Sequence, residues 1–243
     1  MTGADVETVL ESVRRSLSRV PRIDLRQHPM HLELDHGALL LQGEVEDVAA
    51  KRRCLEAAAA TPGVEGIIDR LRVVPAVRMS DATIRDHVSN AVLGEPALAG
   101  CAVRVLHGLD CVTMRPAAEA STGSIELRVQ DGIVTLDGEV SNLCLKRLAG
   151  TLAWWVPGTR DVVNGLGIEP PQDDSDDEIS DAVAVVLEKD PFVGAGRVSV
   201  SARGGVVLLE GAVRSGEEKR MVERDAWFVF GVNGVENRLA ISP

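Results

Sequence analysis

The chain has 243 residues, of which 45% are hydrophobic and 26% charged, the balance of a globular protein. Its formal net charge is −11 and acidic side chains outnumber basic ones in each third of the sequence, which disfavours nucleic acid and anionic membrane surfaces as long-range partners. No basic-then-apolar leader and no apolar run of roughly 18–20 residues is present, and Cys54, Cys101, Cys111 and Cys144 are irregularly spaced. These features fit a reducing compartment, so the expected location is cytoplasmic.

Val6, Val9, Leu10, Val13 and Leu17 recur at helical spacing, and Pro21 follows where a helix can stop. Met30, Leu32 and Leu34 then alternate as in a strand. Gly37 supplies the turn, and Leu39, Leu41 and Val45 continue on a returning strand. The Ala- and Arg-rich stretch from Asp47 to Ala60 predicts a second helix, ended by Pro62-Gly63, before a last strand over Ile67–Val73. The order is αββαβ.

That order repeats. Gly37-Ala38-Leu39-Leu40-Leu41-Gln42-Gly43-Glu44-Val45 returns as Gly132-Ile133-Val134-Thr135-Leu136-Asp137-Gly138-Glu139-Val140 and again as Gly205–Val213. Gly43, Gly138 and Gly211 are each followed 20 residues later by another glycine: Gly63, Gly158 and Gly231. Strand-like ends then stand at fixed offsets, as Asp69-x-Leu71-x-Val73, Asn164-x-Leu166-x-Ile168 and Asn237-x-Leu239-x-Ile241. Three copies in register imply three tandem units. Gly37, Gly132 and Gly205 fall in hairpin turns, while Gly63, Gly158 and Gly231 fall where a left-handed helix C-cap is favoured.

The second copy opens near Ser80 with Ile84, Val88, Ala91 and Val92, and its helix ends at Gly94-Glu95-Pro96. About 22 extra residues, near Ala99–Gly123, precede its first strand. Connections of this length are usually functional or disordered. The third copy has the capping-box pattern Ser175-x-x-Glu178, then Ile179, Ala182, Val183, Val186 and Leu187, and stops at Lys189-Asp190-Pro191. The expected fold class is therefore α+β. Three small αββαβ domains span 1–75, 77–170 with the insertion near 99–123, and 174–243. Each is a three-stranded mixed sheet with two helices on one face, and the linkers Pro75-Ala76-Val77 and Pro170–Asp173 are short.

A helix, a strand, G-x-V-x-L-x-G-x-V, a helix containing Lys-Arg, and P-G-V-x-x-V-x-N-x-L-x-V together resemble the BON domain, named for bacterial osmotic-stress and nodulation proteins. The departures are Asp69 for the Asn at 164 and 237, Thr159 for Val, and Phe230 for Pro. The resemblance implies an αββαβ fold, no enzymatic activity, no cofactor, and a role in binding phospholipid surfaces or other ligands. Many relatives are envelope proteins induced by osmotic stress; others are cytoplasmic and include a small potassium-binding type.

Five of the six aromatic residues, Trp154, Trp155, Trp227, Phe228 and Phe230, close the second helices of copies two and three. Adjacent helical residues point about 100° apart. One of each pair can fill a core, and the other must reach a neighbouring unit, a partner or a membrane interface. Lys51-Arg52, Lys146-Arg147 and Lys219-Arg220 recur on the same helix, and read either as a solvated outer face or as an anion contact. Candidate partner- or lipid-binding residues are thus Trp154, Trp155, Trp227, Phe228, Lys146 and Arg147.

Cys101, His107, Asp110, Cys111 and Met114 in the insertion lack the spacing of a metal site. The acidic run Asp173–Glu178 lacks that of an EF-hand and suits a helix N-terminus. His28, His31 and His36 have no nucleophile partner in sequence, no G-x-S-x-G is present, and Gly194-x-Gly196 is an incomplete dinucleotide fingerprint. The expected function is a non-catalytic tandem binding protein, associating with phospholipid surfaces or with an envelope or osmotic-stress protein. The alternatives are a cytosolic small-ligand or ion sensor and a structural self-associating module. No nucleic-acid partner is expected, and the residues leave the oligomeric state open.

Overall fold

A computed structural model describes residues 3–21, 23, 25, 29–108, 110–118 and 121–242, with the side chains of 3 and 4 excepted. The chain forms two compact units, residues 1–74 and 75–243. The first holds one copy of the repeat and the second holds the other two.

In the first unit the order is α1 (Gly3–Leu17), β1 (His31–Asp35), β2 (Ala38–Val45), α2 (Val48–Ala59) and β3 (Gly66–Val73). The hairpin pairs His31 with Gln42 through Asp35 with Ala38. α2 then carries the chain across to β3, which runs parallel to β2 from Ala38↔Gly66 to Val45↔Val73. Strand alternation sends Leu32, Leu34, Leu39, Leu41, Leu71 and Val73 toward the helices, where Val13 and Leu17 are fully buried. Glu33, Gln42 and Glu44 face outward. α2 starts where the Asp47 side chain accepts the Ala50 N–H at 2.7 Å. Cys54 lies inside this core, and burial pushes its thiol up to about 12, which makes it a packing residue.

The second unit runs α3 (Asp81–Gly94), β4 (Cys101–His107), β5 (Asp110–Arg115), β6 (Gly123–Gln130), β7 (Ile133–Val140), α4 (Leu143–Trp154), β8 (Asp161–Asn164) and β9 (Gly167–Ile168). It continues with α5 (Asp176–Lys189), β10 (Val198–Arg203), β11 (Val206–Val213), α6 (Gly216–Phe228), β12 (Gly234–Asn237) and β13 (Ala240–Ile241). The antiparallel-then-parallel sheet of the first unit recurs as β6-β7-β8 and as β10-β11-β12, with β9 and β13 continuing the last strand of each.

Within the stretch 99–123, expected as a long functional or disordered connection, residues 101–107 and 110–115 form two paired strands. β4 adds in parallel to β6 and β5 adds antiparallel to β4, which widens that sheet to β5-β4-β6-β7-β8. Its pattern is a strand pattern: Cys101, Val103 and Val105 are buried and alternate with Ala102, Arg104 and Leu106. Arg115 pins the hairpin to the turn after α3, donating from Nε to the Cys101 carbonyl at 2.7 Å and from Nη2 to the Leu98 carbonyl at 2.8 Å.

Three of the recurring glycines are set by close packing. At Gly138 (φ 114°) and Gly211 (φ 118°) a Cβ would run into the carbonyl oxygens of Ser124 on the neighbouring strand and of Arg197 just before β10, so close backbone approach demands glycine there. Gly158 does not take the left-handed cap conformation expected of it, unlike Gly63 and Gly231. It is small for packing: a Cβ would sit 2.7 Å from that of Met79.

The second and third copies share one further device. Asp81 accepts the N–H groups of Asp131 and Gly132, both at 2.8 Å, and Asp176 accepts those of Gly204 and Gly205 at 2.7 and 2.9 Å. Each ties a helix start to a hairpin turn, and these backbone donors hold the Asp176 carboxyl below its ordinary range.

Candidate functional site: the junction of the second and third repeats

α4 is the pivot of the larger unit. Its sequence, LCLKRLAGTLAW, is apolar on nearly every side, so it can be covered on more than one face. Leu143, Leu148, Ala149, Leu152 and Ala153 are all buried. One side packs on its own sheet, and another meets α5 and α6 of the third repeat.

Arg147 leaves α4 with no exposed surface and clamps the third repeat. Its Nε donates to the Phe230 carbonyl at 2.8 Å, Nη1 to the Glu178 carbonyl at 3.3 Å, and Nη2 to Asp174 Oδ1 at 2.6 Å. Lys146 places its ammonium 5.6 Å from the centre of the Phe230 ring. At the other end of α4, Trp154 stacks on Phe228 with centroids 5.8 Å apart and planes 6° from parallel. Trp155 donates its indole N–H to Asp225 Oδ1 at 3.1 Å. Close to this end Lys189 reaches across to Glu95 at 2.6 Å.

The structure therefore brings together five of the six candidate binding residues, Trp154, Trp155, Phe228, Lys146 and Arg147, in a contact between repeats. Trp227 lies apart from them in the core of the third repeat at 2% exposure. Neither Trp227 nor Arg147 stands on a surface that a lipid or partner can reach; both are covered by the chain itself. The four others are half-buried.

The reading of the Lys-Arg pairs as a solvated outer face is corrected at Lys51 and Arg147, which are buried, while Arg220 is exposed. Lys51 is 6% exposed, pairs with Asp69 at 2.9 Å and donates to the Leu71 carbonyl at 3.0 Å. Lys219 donates to the corresponding Leu239 carbonyl at 2.6 Å. The polar residue that recurs on the last strand completes the motif. Asn164 donates to the Lys146 carbonyl at 2.7 Å and Asn237 to that of Lys219 at 3.0 Å, locking helix to sheet. These positions recur because they hold the fold.

Sequence reasoning missed Glu95, Asp190 and Asp225. Asp225 is fully buried on α6 and Asp190, at the end of α5, is 6% exposed. The Asp225 carboxyl is pushed up to about 7, first by burial and then by Asp190, against the opposing pull of the Trp155 N–H and Arg224. A signal existed. In the repeat alignment Asp225 stands where Leu152 and Ala57 stand in the other copies, on the buried stripe of the helix. Glu95 and Asp190 occupy equivalent positions, each just before a proline.

Of the insertion's potential ligands, Cys101 is buried while His107, Asp110, Cys111 and Met114 are exposed. Among the described residues no group of three or more His, Cys, Asp or Glu is placed to hold a metal ion. In the acidic run Asp174 serves Arg147 and Asp176 serves the hairpin turn. His31 and His36 are exposed on the first hairpin; His28 lies outside the described residues. No helix among the described residues is long and apolar enough to cross a membrane.

With this architecture in place, the family model of the BON domain matches residues 5–75, 116–170 and 175–243. The chain belongs to the BON-domain family. The middle match begins after β5, so the inserted hairpin separates α3 from the rest of its BON domain. BON domains are non-catalytic binding modules. No curated protein matches the chain. Among solved structures it is similar to the C-terminal domain of CdsD, described as the structural protein of the type III secretion system of Chlamydia trachomatis. That likeness is 15% identity over 97% of this chain and 98% of that one, with a TM-score of 0.25. A second structure of CdsD gives 16% identity, 97% and 93% coverage, and again 0.25.

Proposed function

We propose that the protein is a non-catalytic adaptor, in which the second and third BON domains act as one body that binds a protein partner by strand addition at β5. The observation that supports this reading is the state of that strand. β5 ends its sheet with no strand on its outer side among the described residues, and Asp110–Met114 are exposed on both faces. Val112 is 52% and Met114 47% exposed. Edge strands are ordinarily protected by lysine, proline or a covering element. This one has no lysine or proline, and its arginine is turned back onto the Cys101 and Leu98 carbonyls. An open edge of this kind offers main-chain pairing plus alternate side chains for specificity. The helical face, by contrast, is used by the two domains on each other. The family suggests an envelope or osmotic-stress protein as the partner.

A phospholipid surface is the second reading, favoured by Phe230, which is 52% exposed beneath the Lys146 ammonium. The two are separated by placing a photo-crosslinking residue at Thr113 or, as control, at exposed Glu139 in the native cells. A discrete protein adduct is expected from position 113 alone and should vanish with Val112→Lys plus Met114→Lys. An adduct of twice the chain's mass would assign β5 to self-association. No adduct, with co-sedimentation on phosphatidylglycerol vesicles that Phe230→Ser abolishes, would replace the protein partner with a lipid one.

A further inference from the structure

We infer that the third BON domain carries a second docking surface, the outward stripe Arg220–Arg224 of α6 with Arg214 beside it, and that its occupant is an acidic protein segment leading into a helix. On α4 the residues Arg147, Thr151 and Trp155 are spaced one turn apart and form one stripe. Arg147 and Thr151 have no exposed surface, and Trp155 is half-buried against Asp225 of the third domain. The repeat puts Arg220, Arg224 and Phe228 at the same positions of α6. There Arg220 is exposed and Arg224 is 52% exposed, while Phe228 is half-buried under Trp154. A contact with two-fold symmetry would bury both arginines alike. This junction is head-to-tail instead, and a head-to-tail contact leaves its donor face open on the last member.

Positive charge gathers on the open face. Arg220 folds over the start of α6, where a Cβ at Gly216 would sit 3.8 Å from its Nη1. Arg214 is exposed two residues before Gly216, and Arg197 is exposed beside Gly194, whose N–H the Glu218 carboxylate accepts. Among the described residues the side chains of Arg197, Arg214 and Arg220 form no ion pair and no hydrogen bond. Arg224 is partly engaged, 5.8 Å from the Phe228 ring centre and 3.7 Å from Asp225. Of the acids on this side of α6, Glu218 serves the Gly194 and Arg214 N–H groups and Glu223 accepts from Asn237 at 3.1 Å, which leaves Glu217 as the exposed counter-charge. Such a corner stands out in residues 75–243, where 16 basic side chains face 25 acidic ones.

The occupied copy shows which chemistry the stripe takes. Arg147 receives Asp174, just ahead of α5, together with the carbonyls of Glu178 in the first turn of α5 and of Phe230. Planar arginine forks suit carboxylates, and Arg220 and Arg224 present two of them one turn apart. The negative field of the surrounding unit repels an extended anionic surface, whereas a short acidic segment meets only the arginines. A second copy stacked in the same way through its second domain is blocked by its own chain. The Pro157 carbonyl, equivalent to that of Phe230, already accepts the Val77 N–H at 3.2 Å, and Met79 packs on Gly158. The open β5 edge belongs to the second domain and this stripe to the third, so the two surfaces are distinct.

The test is fluorescence anisotropy of the full chain with a labelled peptide of residues 172–189, which carries the acidic run and the helix that Arg147 meets. The peptide should bind, and more weakly as salt rises. Affinity should fall at least tenfold in Arg220→Glu and stay unchanged in Arg128→Glu, which alters an exposed arginine of β6 with the same change of net charge. A peptide with its four aspartates between 173 and 177 changed to Asn should not bind. Equal losses in the two protein variants would reduce the effect to overall charge and overturn the inference, as would the absence of peptide binding. Phosphatidylglycerol vesicles bound through Arg220 without peptide binding would replace the protein segment with a lipid. A concentration-dependent dimer lost in Arg220→Glu would replace it with a second copy. None of these outcomes changes the adduct expected from position 113, so the two surfaces fail separately.

Discussion

Arg147→Ala is expected to destabilise the unit spanning 75–243 by about 3 kcal/mol and to free the third BON domain from the second, leaving the unit spanning 1–74 unchanged. The guanidinium is fully buried and directs three donors to the Phe230 and Glu178 carbonyls and to Asp174. Truncation leaves those acceptors unserved and opens a cavity between α4 and α5. The loss stays at the lower end of what a broken buried ion pair costs, because Asp174 is 45% exposed and can be rehydrated. Arg147→Lys supplies the charge but not the planar fork and should recover only part of the loss. Urea unfolding with two resolved transitions measures the energetics. Proteolysis of the Pro170–Asp173 linker, expected to accelerate at least tenfold in Arg147→Ala, reads the uncoupling. Equal destabilisation of both transitions would contradict the assignment of Arg147 to the junction.

The same residue shows what sequence can and cannot carry. The three-fold recurrence of glycines, alternating strands and helix periods made the αββαβ order legible, since those signals are local and each copy checks the others. Arg147 was legible as recurring, yet its neighbours in sequence made it look solvated. Nothing local distinguishes it from Arg220, which is exposed; the difference lies in what the third domain places against it. Asp225 was obscured for the same reason, among Glu223 and Arg224 on a charged helix. Position by position, the acid stands where leucine and alanine stand in the other copies. The hairpin 101–115 escaped for a different cause. Its alternation is short and has no counterpart in the other copies, so in the sequence it registers as excess length rather than as strand.

Asp69→Ala is expected to destabilise the first unit by about 2–3 kcal/mol, and the contrast with Asn164 and Asn237 explains why. In the second and third domains the asparagine amide donates to the carbonyl of the lysine on the facing helix, while its oxygen accepts the N–H two residues on. An aspartate keeps the second bond, from Leu71 N–H at 2.9 Å, and cannot make the first. The first domain compensates with charge: Lys51 turns inward to Asp69 while still donating to the Leu71 carbonyl. Removing the carboxylate takes an ion-pair partner at 2.9 Å from an ammonium that is 6% exposed. Asp69→Asn restores the residue of the other copies and should still cost about 1–2 kcal/mol, because it retains the Leu71 bond but removes the charge that Lys51 meets at 2.9 Å. Lys51→Met combined with Asp69→Asn should then be less destabilising than the sum of the two single changes, a coupling of about 1 kcal/mol or more in a double-mutant cycle. Additive single effects would mean that the two positions are independent. The comparison also shows how the middle copy differs. Lys219 repeats the carbonyl contact of Lys51, whereas Lys146 lies over Phe230 of the next domain, so one lysine position serves the fold in two copies and the junction in the third.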